Sequence, residues 1–289
     1  MARSSEAGTT ARELSLDRLA LDLCQDCPDH SPFFVNRVVN GAMQAPTALL
    51  NRIGQTSDAA TGIKRLVIVM GQLGDFDSME YAQVLVPRLP EIESAGITLQ
   101  AIAIGNELGA ERFCRFTGFP RSMMLLEAGA ELHHALQLYS GFQAPGGPWP
   151  GFLLMCAGVG SPGTLQEVFR GYRGDRRAAA IFEDEEMIRA WPLPAFPGSM
   201  FARAGGRGFQ RPFELATLRL RNMGEVLSNW RTYVPVDDHI AQRGATYLLD
   251  SQGEVLYEHK ETHLLGFAAD MSHPLAFLEP YLGGTSVSL

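Results

Sequence analysis

The stretch Arg65–Met70 (RLVIVM) carries the clearest structural signal in this chain. It is short, continuously apolar and rich in β-branched residues, which predicts a strand covered on both faces. An amphipathic helix is predicted over Ser78–Ser94, where Pro87 and Pro90 are expected to kink or shorten it. A second apolar strand is predicted over Thr98–Ile104 (TLQAIAI). Strand, helix and strand together predict one right-handed βαβ unit with a parallel strand pair.

Further elements extend this unit towards the C-terminus, and each is bounded by glycine or proline. They are a helix over Glu107–Thr117, a short strand over Met123–Glu127, a helix over Glu131–Leu138, the two strands of a β-hairpin over Ala245–Asp250 and Glu254–Glu258, and a helix over Pro274–Leu282. The hairpin is predicted because Gly253 lies in the turn between two partly alternating segments. The last helix is expected to pack on the sheet.

The chain divides into four kinds of segment. Residues 1–13 are small and polar and predict a disordered tail, and residues 14–62 predict an irregular helical N-terminal extension. The core α/β domain is assigned to residues 63–142 and 243–282. Residues 143–242 form an arginine-rich insertion, the only net-basic part of an acidic chain.

Composition excludes several classes of protein. The net charge of −8 argues against nucleic acid or an acidic membrane as the main partner. The longest apolar runs, Leu66–Met70 and Phe152–Ala157, are too short to span a bilayer. With no leader-like apolar segment and only 4 scattered cysteines in 289 residues, we expect a reducing cytoplasm. No set of His, Asp or Glu has a metal-ligand spacing, so neither a metal nor a cofactor is expected.

Three segments resemble the peroxiredoxin-like proteins of the AhpC/TSA superfamily. Asp75–Ala82 (DFDSMEYA) is similar to their C-x-x-C-[RK]-E-Y-A segment, and Arg112–Phe119 to the helix and turn after their second strand. Arg243–Asp250 (RGATYLLD) resembles the R-G-x-F-I-I-D strand of peroxiredoxins. The resemblance covers about residues 64–139 and 243–282. It implies an α/β, thioredoxin-like central sheet flanked by helices, with a helical insertion before the C-terminal β-hairpin.

The departures from this family pattern bear on function. Asp75 and Ser78 stand where the family has its two cysteines. Peroxide reduction needs a thiolate that is oxidised to sulfenic acid, and neither a carboxylate nor a hydroxyl group can undergo that oxidation. Arg243 matches the arginine that stabilises the family's thiolate, and here it is expected to pair with Asp75. If that pair is buried, removing Asp75 alone should cost more stability than removing both residues. The other interpretation is that Arg243 holds a small anionic ligand near the strand end.

The resulting hypothesis is a degenerate redox site with a non-peroxidase binding or assembly role. A protein partner is expected at the degenerate cleft or on the insertion. The first alternative is a thiol-dependent antioxidant oxidoreductase that uses Cys24 and Cys27, which form a C-x-x-C pair. The same pair is also compatible with a structural role or, together with His30, with a weak metal site. Cys114 and Cys156 are expected to be small buried hydrophobes.

The second alternative is an anion- or lipid-binding module in the insertion. Arg207 and Arg211 lie in a glycine-rich loop ahead of a helix predicted over Pro212–Arg231. Backbone N–H groups at a helix start, together with two guanidiniums, can hold a small anion. Arginine pairing with acidic residues of the main domain is the other interpretation. The helix is expected to pack on the main domain through the apolar stripe Phe213, Ala216, Leu220, Met223, Leu227 and Trp230.

Overall fold

The computed structural model describes residues 43–54 and 63–283 of the chain. The predicted tail, most of the N-terminal extension and the pair Cys24 and Cys27 lie outside the described residues. Within the extension, the described part contains helix α1, Thr47–Gly54. No helix of the described residues is both long and apolar enough to cross a membrane.

A mixed five-stranded sheet forms the centre of the molecule, in the order β3-β2-β1-β6-β7. Its strands are β1 Lys64–Gln72, β2 Ile97–Ile104, β3 Met124–Glu127, β6 Ala245–Leu249 and β7 Val255–Lys260. The first three run parallel, whereas β6 pairs antiparallel with both β1 and β7. The predicted α/β thioredoxin-like fold is confirmed, including the βαβ unit and the C-terminal hairpin.

Strand β1 is covered on both faces, as its apolar run predicts. Leu66, Ile68 and Met70 belong to one hydrophobic cluster, and Val67 and Val69 belong to the other. This division follows from the two-residue period of a strand, which sends successive side chains to opposite faces. The sheet is therefore fixed between two apolar layers, and the loops at the C-terminal end of β1 have a rigid base.

The helices flank the sheet and build the insertion. They are α2 Phe76–Leu85, α3 Leu89–Ser94, α4 Glu107–Thr117, α5 Glu131–Ala135, α6 Pro148–Cys156, α7 Thr164–Arg173, α8 Ser199–Gly205, α9 Glu214–Ser228, α10 Trp230–Tyr233 and α11 Glu279–Leu282. A short two-stranded ribbon in the insertion comprises β4 Met187–Ile188 and β5 Phe196–Pro197.

Four predicted helices differ from the observed ones, and one of them, predicted over Glu131–Leu138, already ends at Ala135. The segment predicted as Ser78–Ser94 is divided by a 3₁₀ turn over Val86–Arg88, because Pro87 lacks the N–H that a continuous helix requires. The final helix is shortened to α11, preceded by a 3₁₀ turn over Ala276–Leu278. The helix predicted to begin at Pro212 instead begins at Glu214.

The predicted packing of α9 through an apolar stripe is wrong. Phe213 and Leu227 are both more than half exposed. The buried face uses other apolar residues, Leu215, Leu218 and Val226, together with polar side chains. Asn222 exchanges two amide hydrogen bonds of 3.0 Å with Gln83 of α2. Arg219 binds Glu80, also on α2, with nitrogen–oxygen distances of 2.7 and 3.1 Å. Helix α9 is thus held against α2 by buried polar pairs as well as by apolar contacts, and hydrophobic periodicity does not detect the polar pairs.

Candidate functional site

Asp75 lies where β1 passes into helix α2. It is the N-cap residue of that helix and has extended backbone angles, φ −73° and ψ 128°. Ser78, in the first turn of α2, donates its hydroxyl hydrogen to the Asp75 carboxylate over 3.3 Å. The positive end of a helix dipole stabilises a negative charge at this position. The structure therefore places a carboxylate at the start of α2, where the helix dipole and Ser78 stabilise it.

Arg243 meets Asp75 from the neighbouring strand. It directly precedes Gly244 and strand β6, and its side chain is completely buried. Its terminal nitrogens lie 3.4 Å from the Asp75 carboxylate oxygens. Its Nε donates to the carbonyl oxygen of Ala241 over 3.0 Å. The structure thus brings Asp75 and Arg243 together at the C-terminal end of β1, the arrangement that the sequence analysis expected.

Asp77 is a closer partner of Arg243 than Asp75, and sequence reasoning missed it. Its Oδ2 accepts a hydrogen bond of 2.9 Å from Arg243 and another of 2.7 Å from the backbone N–H of Leu265. The available signal was its place in the first turn of α2, two residues after Asp75. At that spacing both carboxylates stay near the helix start, within reach of the same guanidinium.

Glu261 completes the buried group from the end of the hairpin. Its Oε2 accepts a hydrogen bond of 2.9 Å from the backbone N–H of Gly244. Asp75, Asp77 and Glu261 each offer an oxygen within 4.8 Å of the others. The sequence predicted no metal site, because Glu261 is far from Asp75 and Asp77 in the chain. Here the guanidinium of Arg243 is the cation that the carboxylates surround.

This group carries more negative charge than its single guanidinium balances. Burial and the neighbouring Asp75 raise the pKa of Asp77 well above its ordinary value. Burial likewise raises the pKa of Glu261 to about 7. Burial alone would lower the pKa of Arg243, but the charges of Asp75 and Asp77 outweigh it and raise that pKa. Arg243 therefore stays charged, and Asp77 and Glu261 hold protons more tightly than in water.

An apolar pocket with a volume of about 310 Å³ opens over this group. Asp75, Asp77 and Gln72 lie among its lining residues and form its polar end. The apolar walls come from α2, from the insertion helices and from the segment after β7. They include Phe76, Phe152, Val168, Met223, Leu227 and Leu265. Part of the apolar stripe predicted for α9 therefore faces this pocket rather than the core of the main domain.

Two tryptophans stand in the pocket wall. The rings of Trp149 and Trp230 lie 5.3 Å apart between centroids. Trp149 is 38% exposed, and its indole N–H donates to Asp237 over 3.0 Å. Because both Trp149 and Leu227 line the pocket and reach solvent, the opening lies beside them. A ligand entering there would pass aromatic surface before reaching the carboxylates.

A sequence model of the AhpC/TSA antioxidant enzyme family matches residues 84–263, more than half of the chain. The chain belongs to this family. The match includes Arg243 and Glu261 and begins after the segment that contains Asp75 and Ser78. No curated protein and no solved structure gave a significant match.

The described cysteines of this AhpC/TSA protein lie outside the usual cysteine positions. Cys114 is buried in α4, as predicted, whereas Cys156 is exposed and lines the pocket, so its predicted burial is wrong. The apolar run that ends α6 covers the pocket instead of a closed core, which accounts for the difference. Loss of surrounding water raises the pKa of both thiols. At neutral pH neither is favoured as a thiolate.

Arg207 and Arg211 both bind Asp184, at 2.8 and 2.9 Å. Arg211 is also buried against Glu214, with a nitrogen–oxygen distance of 2.5 Å. The Glu214 carboxylate in turn accepts hydrogen bonds from the backbone N–H groups of Ile181 and Phe182. These contacts leave few guanidinium donors for a free anion, and the carboxylate partners belong to the insertion itself rather than to the main domain, as the other interpretation had expected. Anion binding by this AhpC/TSA protein stays a prediction.

Proposed function

We propose that this AhpC/TSA protein has a redox-silent site and acts as a non-peroxidase binding protein, with the pocket over Asp75 as its ligand site. The observation that carries the proposal is the Asp75 carboxylate, which is held by Arg243 at the position of the family's thiolate. A carboxylate cannot be oxidised to a sulfenic acid and then reduced again, so the peroxidase cycle has no reactive thiolate at this position.

The nearby thiol of Cys156 is a poor replacement for the missing thiolate. It lines the same pocket, but its pKa is raised by desolvation, and Asp77 adds to that effect. Nucleophilic attack on peroxide requires the deprotonated sulfur. The pocket therefore has room for a ligand beside the site but no activated thiol facing it within the described residues.

The dimensions of the pocket support a binding role. Ligand sites are concave, mostly apolar and supplied with a few polar groups that orient the ligand. The pocket has this composition, and its volume of about 310 Å³ is at the small end of the range for such sites. The ligand class that fits is a small molecule with an apolar body.

Binding of n-butylbenzene, a neutral apolar probe, tests this proposal in the full chain. Trp149 and Trp230 line the pocket, so the probe should change tryptophan fluorescence and raise the melting temperature. Cys156→Phe fills part of the pocket and is expected to weaken binding about tenfold or more. Leu153→Phe, on an exposed face of the same helix, is the matched control and should bind as the wild type does. Equal binding to both variants would contradict the pocket assignment.

The alternative use of Cys24 and Cys27 as a redox pair is tested independently. Those residues contribute nothing to the pocket as described, so their replacement by serine should leave probe binding unchanged. Peroxide or disulfide turnover that is lost in the Cys24→Ser/Cys27→Ser variant would support the oxidoreductase alternative instead.

A further inference from the structure

We propose that the pocket selects a small protonated amine with an apolar body, whose ammonium group binds at Asp75 and Gln72. This inference rests on the proposed binding function and names the ligand class for the same site. It is carried by three features of the pocket: its unsatisfied acceptors at Asp75 and Gln72, its committed side-chain donors and its aromatic walls.

The Asp75 carboxylate has accepting capacity left over. Its contacts with Arg243 are 3.4 Å long and its contact with Ser78 is 3.3 Å long. Charge-assisted hydrogen bonds are normally shorter, about 2.7–2.9 Å. Arg243 instead makes its short bond to Asp77. The carboxylate at the polar end of the pocket is thus held in place but not saturated.

Gln72 supplies a second acceptor at the same end. It lines the pocket and is 2% exposed. Its Nε2 donates to the carbonyl oxygen of Val236 over 2.8 Å, which fixes the orientation of the amide. Its Oε1 is buried without a hydrogen-bond partner among the described residues. A buried acceptor without a partner costs free energy, and a ligand N–H group would remove that cost.

Three side-chain donors in the pocket wall are already used within the protein. The hydroxyl of Thr164 donates to the carbonyl oxygen of Leu264, and the indole N–H of Trp149 donates to Asp237. The amide N–H of Gln72 is committed to Val236. The Asp75 carboxylate and Gln72 Oε1, in contrast, keep unused accepting capacity. A ligand that uses these two acceptors must bring hydrogen-bond donors of its own, and an ionised carboxylate has none.

Charge favours a cation as well. Of the two carboxyl groups in the pocket wall, Asp75 makes only 3.4 Å contacts with Arg243, so an ammonium group would form a shorter ion pair with it in a region shielded from water. At the other end, Trp149 and Trp230 and the neighbouring Phe152 provide aromatic surface for an alkyl or aryl body. The ligand that satisfies both ends is an apolar primary amine small enough for about 310 Å³.

Three probes of similar shape test this inference in the full chain by calorimetry and tryptophan fluorescence. They are 3-phenylpropylamine, n-butylbenzene and 3-phenylpropionate. The amine is expected to bind about ten- to a hundredfold more tightly than n-butylbenzene, and the carboxylate more weakly than either. Asp75→Asn should remove most of the preference for the amine over n-butylbenzene. Gln72→Met, which removes the unpaired acceptor, should reduce the preference without touching the carboxylates.

The outcomes separate this inference from the proposed function. If all three probes bind wild type equally well, the pocket is real but amine selection is wrong. If none binds, the binding function fails and the amine inference fails with it. If Asp75→Asn does not fold, the comparison of the three probes in wild type and in Gln72→Met still tests amine selection. An unchanged amine preference in Gln72→Met would contradict the assignment of Asp75 and Gln72 as the acceptor pair.

Discussion

The guanidinium of Arg243 lies 2.9 Å from the carboxylate of Asp77, a shorter contact than any it makes with Asp75. Both side chains are almost entirely withdrawn from solvent. Asp77 is therefore the main counter-ion of this buried arginine. Asp75 keeps part of its hydrogen-bonding capacity free towards the pocket, and this division of roles determines how the site should respond to substitution.

Asp77→Ala is expected to lower the free energy of unfolding by about 3–5 kcal/mol, because it leaves a buried guanidinium without its closest partner. The backbone N–H of Leu265 also loses its acceptor. Asp75→Ala should cost less, about 1 kcal/mol, because Arg243 keeps Asp77. Urea unfolding of both variants measures the difference. A larger loss for Asp75→Ala would show that the roles are reversed.

This arrangement revises one expectation from the sequence. With Asp75 as the only partner, Asp75→Ala was expected to cost more than Asp75→Ala/Arg243→Met. The structure adds Asp77 and Glu261 to the group, so removing Arg243 leaves two buried carboxylates without their cation. We now expect the double variant to be less stable than Asp75→Ala, and urea unfolding of the two variants side by side decides the order.

Glu261 should make stability depend on pH. Burial raises its pKa from 4.5 to about 7, so the folded protein holds a proton that the unfolded chain releases between these values. The free energy of unfolding should therefore fall as the pH rises through this range. Because the pKa of Asp77 is raised as well, both groups contribute in the same direction.

Glu261→Gln tests this dependence. The amide keeps an oxygen acceptor for the N–H of Gly244 but no longer titrates. Relative to wild type, the variant should gain stability between about pH 5 and pH 8, by up to roughly 3 kcal/mol. Urea unfolding at both pH values measures the gain, and an identical pH dependence in the two proteins would exclude Glu261 as the titrating group.

Arg207 and Arg211 should differ sharply in their effect on stability. The side chain of Arg207 is 77% exposed, whereas that of Arg211 is 2% exposed and bound to the fully buried Glu214. Arg211→Gln is expected to cost about 3 kcal/mol or more, since it strands a buried carboxylate. Arg207→Gln is the matched control and should cost about 0.5 kcal/mol or less. Thermal unfolding compares them, and similar losses would argue against Arg211 as an anchor of the insertion.

The sheet and several helices could be predicted from the sequence because their signals are local. The apolar run of β1 and the turn at Gly253 indicate their elements directly, and the helix Glu107–Thr117 has the predicted bounds. The contact between Asp75 and Arg243 could also be anticipated, since both belong to segments that resemble the family. These inferences needed only short-range sequence patterns and the resemblance of two segments to the family.

The rest of the site depends on contacts between distant parts of the chain. Glu261 reaches Asp75 only because β7 ends beside the start of β6, which in turn lies beside the C-terminal end of β1. The pocket exists because the insertion folds back over α2. Helix α9 was misassigned for a related reason: Asn222 and Glu214 are buried through partners that no periodicity in their own helix reveals.

Peroxide consumption by the purified full chain with a dithiol reductant tests the central claim most directly. The account predicts no turnover above the protein-free control and no sulfenic-acid labelling at Cys156, because Asp75 occupies the position of the reactive thiolate and the pKa of the Cys156 thiol is raised. Turnover that disappears in Cys156→Ser, or in Cys24→Ser/Cys27→Ser, would show that the chain keeps a working thiol and would contradict a redox-silent site.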